Sequence, residues 1–123
     1  MSKFNYLNVN PLGEEEQDCV CRAISLATGY DYYEIADKLY LTAELFDCDE
    51  LCVCCYRHLL DYVFDFPKVR CQGLTVEEFL DGHPYGTYIL RMNGHCTCII
   101  NGRLFDTYDC LHRVLTDVWQ VEN

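Results

Sequence analysis

No apolar run in the sequence approaches the ~18 residues that a membrane-spanning helix needs, so no spanning helix is predicted. Basic residues are scarce as well: 9 Lys and Arg stand against 20 Asp and Glu, for a formal net charge of −11. Direct binding to nucleic acid requires a basic face that displaces counterions from phosphates, and binding to an anionic membrane surface requires the same. Neither partner is expected. The charge suits a basic partner protein, or a decoy for nucleic acid. The opening Met1-Ser2-Lys3-Phe4-Asn5-Tyr6 lacks a basic region followed by an apolar stretch, so no secretory signal is expected and the expected compartment is the cytoplasm. Internal repeats, low-complexity stretches and linkers are also missing. The 123 residues fit one domain, 1–123, and a 50% apolar composition supplies a core and argues against disorder.

What the chain has in excess is cysteine, ten in all. In a cytosolic compartment thiols stay reduced, so a disulfide framework is the poorer reading. Most of the ten are expected to be small buried hydrophobes. Cys48, Cys52 and Cys55 recur at i, i+4, i+7, and Cys52 to Cys55 is a C-x-x-C, which suits a redox pair or a soft metal site. The second C-x-x-C of a zinc module is missing, so packing is the preferred reading there, and no metal or cofactor is expected.

Residues 1–17 are polar and turn-rich and read as an extended lead-in. Asp18 stands where an N-cap belongs, Val20, Ala23, Ile24 and Ala27 follow at helical spacing, and Thr28-Gly29 closes the segment. Asp31 with Glu34 marks a second helix with Ile35, Ala36 and Leu39 on its apolar side. Asp47 or Asp49 caps a third, running to about Phe64 and apolar on most sides, with Leu51, Cys55, Leu59 and Tyr62 as its stripe. Thr75-Val76-Glu77-Glu78 is a capping box for a fourth, ending near Gly82. After Pro84 the pattern changes. Residues 88–92, 96–100 and 103–107 read as strands separated by Asn93-Gly94 and Asn101-Gly102, the strongest short-range hairpin signal. With 118–121 as a further strand, the expectation is an α+β domain: N-terminal helices packed on a C-terminal antiparallel β-meander.

Cys19 falls in the first turn of the first predicted helix, where free N–H groups and the helix dipole favour a thiolate. A nucleophilic cysteine also needs an imidazole and a group that orients it. His95 opens one strand and Asp106 lies on the next. If Asn101-Gly102 is a two-residue turn, opposed residues sum to about 203. His95 and Asp106 are then diagonal neighbours on one face, roughly 7 Å apart along the ladder, with Thr97 and Tyr108 beside them. Cys96 and Cys98 point to the opposite face and read as core. Cys21 lies about 200° around the helix from Cys19 and reads as structural.

Asp18-Cys19-Val20-Cys21-Arg22-Ala23-Ile24-Ser25, Ala27-Thr28-Gly29, Gly94-His95 and Asn101-Gly102 with Phe105-Asp106-Thr107-Tyr108-Asp109 together resemble a known pattern. It is that of the small papain-like cysteine peptidases of bacteriophages and bacteria, similar in layout to peptidases that trim bacteriocin leader peptides. The resemblance implies a papain-like fold, with Cys19 as nucleophile, His95 as general base and acid and Asp106 as the orienting group. It also implies a peptide or protein substrate and, for a phage-encoded chain, the host cytoplasm. Residues of about 40–85 match nothing specific. Members of that family usually carry a Gln several residues before the nucleophile, as an oxyanion-hole donor; Gly13 occupies about that position here. Gln17, an asparagine of the lead-in, or backbone N–H groups alone take the role. Glu14, Glu15, Glu16 and Asp18 crowd the nucleophile with negative charge, which opposes a thiolate and attracts a cationic substrate. The alternative function is a catalytically inactive, acidic inhibitor or adaptor that occupies a basic surface of a partner.

Overall fold

The computed structural model describes residues 3–13, 18–49 and 52–121. The two Asn-Gly pairs organise its sheet. Gly94 (φ 77°), Asn101 (φ 50°) and Gly102 (φ 73°) take left-handed backbones, which glycine and asparagine tolerate and which two-residue hairpin turns demand. They bring Met92 opposite His95 and Ile100 opposite Arg103. The strands so joined are β2 (Thr87–Met92), β3 (His95–Ile100) and β4 (Arg103–Asp106). Cys98 pairs with Phe105, which is the register expected from the turn.

Two more strands complete the sheet. β5 (Leu115–Val121) returns to pair antiparallel with β2, and β1 (Phe4–Tyr6) pairs parallel with β4. The spatial order is β1-β4-β3-β2-β5. The sheet is therefore mixed: the expected antiparallel meander is present as β2–β3–β4, but part of the lead-in is a strand and its pairing is parallel. Among the described residues the fold is α+β, with four α-helices, one π-helical turn and this five-stranded sheet.

The helices cover both faces. α1 (Cys19–Thr28) ends at Gly29 (φ 80°), whose N–H donates to the Ser25 carbonyl. Its Val20, Ala23, Ile24 and Ala27 are buried as the spacing predicts, against Cys96 and Cys98 of β3. α2 (Tyr32–Phe46) is capped by Asp31, which accepts from the Tyr33 N–H. α3 (Val53–His58) starts at Cys52, not at Asp47 or Asp49, and runs into a π-helical turn, Leu59–Val63. The wider turn, in which the Phe64 N–H donates to the Leu59 carbonyl, rotates the stripe. Leu59 and Leu60 are buried, whereas Tyr62 is 74% exposed, contrary to the stripe expected for it; Leu51 lies outside the described residues. On the other face lies α4 (Val76–Gly82), with both bonds of its Thr75–Glu78 capping box formed. Its Val76, Phe79 and Leu80 pack with Leu90, Ile99 and Leu104 of the sheet. β3 is buried on both sides, so burial does not alternate along it even where His95 and Thr97 alternate with Cys96 and Cys98. Among the described residues no helix is long and apolar enough to cross a membrane.

Trp119 of β5 is fully buried, and its Nε1–H donates to Asp61 Oδ1 at 2.7 Å, tying the sheet to the π-helical turn. Trp119→Ala is expected to lower the unfolding free energy by ~3–5 kcal/mol, the usual range for deleting a buried aromatic side chain, as read from urea denaturation.

Candidate active site

His95 is the first residue of β3 and Asp106 the last of β4, so the second Asn-Gly turn brings them together diagonally. The His95 Nε2–H donates to Asp106 Oδ2 at 2.6 Å, with both side chains buried. The carboxylate has further donors at its other oxygen. The Thr107 N–H reaches Oδ1 at 2.6 Å and Arg22 Nη1 reaches it at 3.3 Å. The Tyr108 ring packs on the imidazole, with centroids 4.6 Å apart. His95, Asp106 and Tyr108 thus gather at one end of the sheet as the register implies.

Cys19 opens α1, half-buried, and its thiol interacts with the His95 side chain and the Cys96 backbone. Because Asp106 holds Nε2, Nδ1 is the ring nitrogen left for that thiol. Arg22, one turn along α1, links the helix to the carboxylate. Its Nε donates to Asp18 Oδ1 at 2.7 Å while Nη1 points at Asp106. Asp18 does not cap α1 through its side chain. It is spent on tertiary partners: besides Arg22, Oδ2 accepts from the Tyr32 hydroxyl at 2.7 Å and from Asn10 Nδ2 at 3.0 Å. The expected capping role is replaced by one of fixing Arg22.

Each titration in the group follows from these contacts. Burial opposes the charge of Asp106, but the bonds from His95 and the Thr107 N–H more than offset it, so its pKa lies below the ordinary carboxylate range. Burial alone would lower His95; its bonds to Asp106, Cys110 and Cys19 instead raise it well above the ordinary imidazole range. Burial pushes the Cys19 thiol up, and the hydrogen bond and charge of His95 more than reverse this. The arrangement therefore favours an ion pair of thiolate and imidazolium, backed by a carboxylate.

Of the sequence-derived candidates, Cys19, His95 and Asp106 come together. Gln17 lies outside the described residues, as do Glu14, Glu15 and Glu16. Asn10, in the lead-in, is committed to Asp18 through Nδ2 and to the Leu12 N–H through Oδ1. The first turn of α1, which begins at Cys19, presents backbone N–H groups at the same end of the helix as the thiol. Sequence reasoning missed Cys110 and Arg22. The buried Cys110 thiol lies 3.8 Å from Asp106 Oδ2, brought back by a turn after β4 that no periodicity announces. His95, Asp106 and Cys110 present donor atoms within 4.8 Å of one another, a set able to hold a metal ion. The direct His95–Asp106 bond would have to open to admit it. Below Cys19, a cavity of about 10 Å³ bounded by Arg22, Thr97 and Asp106 has room for about one water. Compared with protein-family models, curated proteins and solved structures, the chain matches none.

The pair has a definite pH signature. A raised imidazole pKa contributes stability that is complete below the unfolded value of ~6.5 and fades as pH rises through the folded value. A lowered carboxylate pKa contributes stability that is complete above ~3.9 and fades as pH falls through the folded value. The stability lost in Asp106→Asn, from urea titrations at a series of pH values, is therefore expected to peak between about pH 4 and 6.5 and to shrink on both sides.

Proposed function

We propose that the chain is a papain-like cysteine hydrolase, a peptidase or amidase, acting by acyl transfer through Cys19, His95 and Asp106. The observation that carries this reading is the buried 2.6 Å His95–Asp106 bond, with the Cys19 thiol engaged by the same imidazole. The Cys19 thiolate attacks the substrate carbonyl carbon, and first-turn N–H groups of α1 receive the developing oxyanion. His95 passes its Nδ1 proton to the leaving amine as the acyl–sulfur bond forms and the C–N bond breaks. Water, deprotonated by His95, then attacks the thioester, releasing the acid and restoring the thiol. Asp106 holds the ring by Nε2 and stabilises the imidazolium, and Arg22 in turn holds Asp106. The net charge of −11 favours a substrate with a basic segment. Reduced thiols fit a cytoplasmic setting.

The test is covalent labelling by a peptidyl acyl electrophile, mapped by peptide mass analysis. The adduct is expected on Cys19, and Cys19→Ala is expected to abolish both it and turnover. An adduct elsewhere, or a biological activity that survives Cys19→Ala, would favour the inhibitor or adaptor instead. The pH profile of Cys19 alkylation gives an independent check. Half-maximal reactivity is expected below the ordinary thiol value, and His95→Ala should move it upward. At a pH below both midpoints the thiolate fraction falls about tenfold for each unit of rise, and the alkylation rate there should fall, by less than that factor because a more basic thiolate is the better nucleophile.

A further inference from the structure

The C-x-x-C of the sequence does not assemble a site. Cys52 precedes α3 with an extended backbone (φ −70°, ψ 139°), and its Sγ lies 2.9 Å from that of Cys54. Cys55 turns inward and donates to the Leu39 carbonyl at 3.4 Å. Two sulfurs are too few to enclose an ion. Among the described residues, the one group of three donors close enough to share an ion is His95, Asp106 and Cys110, whose ligand atoms lie within 4.8 Å of one another.

The chain after β4 is shaped to bring Cys110 there. The Leu111 N–H donates to Asp109 Oδ1 at 3.0 Å, and the Arg113 N–H to the Cys110 carbonyl at 3.0 Å. The Leu111 and Arg113 carbonyls then accept from the Glu77 and Val76 N–H groups at the start of α4. This pinned turn sets the buried Cys110 thiol 3.8 Å from Asp106 Oδ2, the same oxygen that accepts from His95 Nε2 at 2.6 Å. Nitrogen, oxygen and sulfur thus converge on one point. Zn–N and Zn–O bonds of about 2.0–2.2 Å and a Zn–S bond of about 2.3 Å set tetrahedral ligand atoms about 3.4–3.6 Å apart. His95 and Asp106 therefore open by roughly 0.8 Å while Cys110 closes on them. The other oxygen of the carboxylate is held by the Thr107 N–H at 2.6 Å and by Arg22 at 3.3 Å, which orients Oδ2 as a ligand. Imidazole with thiolate selects soft or borderline ions over Mg²⁺ or Ca²⁺.

We infer that His95, Asp106 and Cys110 form an inhibitory site for a thiophilic divalent cation of the Zn²⁺ or Cd²⁺ class. The ion replaces the Nε2 proton that His95 shares with Asp106 and the thiol proton of Cys110, so two protons leave as one divalent cation enters. The buried double charge meets two anions, the Asp106 carboxylate and the Cys110 thiolate, with neutral His95 as third ligand and water as the fourth. Entry is through the irregular turn, where Tyr108, 42% exposed, covers the imidazole. The inhibition, though not the binding, rests on the hydrolase reading. A metal-bound neutral imidazole carries its one proton on Nδ1, so no ring nitrogen remains to deprotonate the water that hydrolyses the thioester.

The experiment is a Cd²⁺ titration of the reduced full chain carrying Cys48→Ser, Cys52→Ser and Cys54→Ser, which removes the accessible outer thiols. Thiolate-to-cadmium charge-transfer absorption is the readout. One tightly bound ion per chain is expected, unchanged when Cys19→Ser is added. Outer-shell partners alone are worth about 10–100-fold in metal affinity, so adding Cys110→Ser should weaken binding by at least ~100-fold. A chain without the band, full affinity with Cys110→Ser, or loss of the band with Cys19→Ser would overturn the site. Cadmium–nitrogen coupling in the triply substituted chain with isotope-labelled histidine needs no change at the site. Coupling to His95 is expected, and its absence refutes the site however Cys110→Ser folds. Turnover is read separately: one equivalent of Cd²⁺ should abolish it, a chelator should restore it, and Cys110→Ser should remove the sensitivity. Turnover that persists with the ion bound overturns the inhibition. A metal-free chain without turnover ends the hydrolase reading and the inhibition with it, while the titration still decides the site.

Discussion

An ionised carboxylate at 3% exposure is the constraint around which this end of the molecule is built. Burying the charge of Asp106 is costly unless hydrogen-bonded, oppositely charged groups replace the lost water. The partners come from three separate segments: His95 from β3, the Thr107 N–H from the chain just after β4, and Arg22 from α1. Arg22 is itself fixed by Asp18, and Asp18 by Tyr32 of α2 and Asn10 of the lead-in. The network thus extends from the carboxylate to both N-terminal helices. The Asp106 bond fixes the imidazole by Nε2, and the thiol at the start of α1 meets the same ring.

The parts of this arrangement that rest on local chemistry were legible in the sequence. The Asn93-Gly94 and Asn101-Gly102 turns set the register of β2, β3 and β4, and the register alone made His95 and Asp106 diagonal neighbours. Gly29 and the Thr75–Glu78 box are equally local. What could not be read depends on distant partners. Three residues, Phe4–Tyr6, carry no periodicity, and they pair with a strand about 100 positions away. Asp18 looks like a cap because an Asp before a helix usually is one; Arg22, Tyr32 and Asn10 outbid the backbone for its oxygens. The π-helical turn after α3 undid a stripe counted at 3.6 residues per turn. Cys110 reached the site through an irregular return of the chain.

Ten thiols in one small protein separate by environment rather than by spacing. Cys96 and Cys98 are sealed between sheet and helices, and burial drives their pKa values upward, so they behave as hydrocarbon. Cys55 is held by a carbonyl. Cys19 sits beside a charged imidazole, and Cys52 beside a second thiol at the surface. Helical position singled out Cys19 in a first turn and Cys55 on a buried stripe; Cys52 escaped the helical count because it precedes α3 with an extended backbone.

The parallel pairing of β1 with β4 also has a kinetic side. Tyr6 lies opposite Asp106, and the Leu7 N–H donates to the Asp106 carbonyl, so residues from the first tenth of the chain brace the strand that ends in the buried carboxylate. Contacts so remote in sequence form late, because a long loop must close before they yield anything. During synthesis from the N-terminus, Cys19 emerges long before His95 and Asp106. Its sulfur therefore stays an ordinary, mostly protonated thiol while the chain is being made, and its pKa falls only when α1 packs on β3 and meets His95.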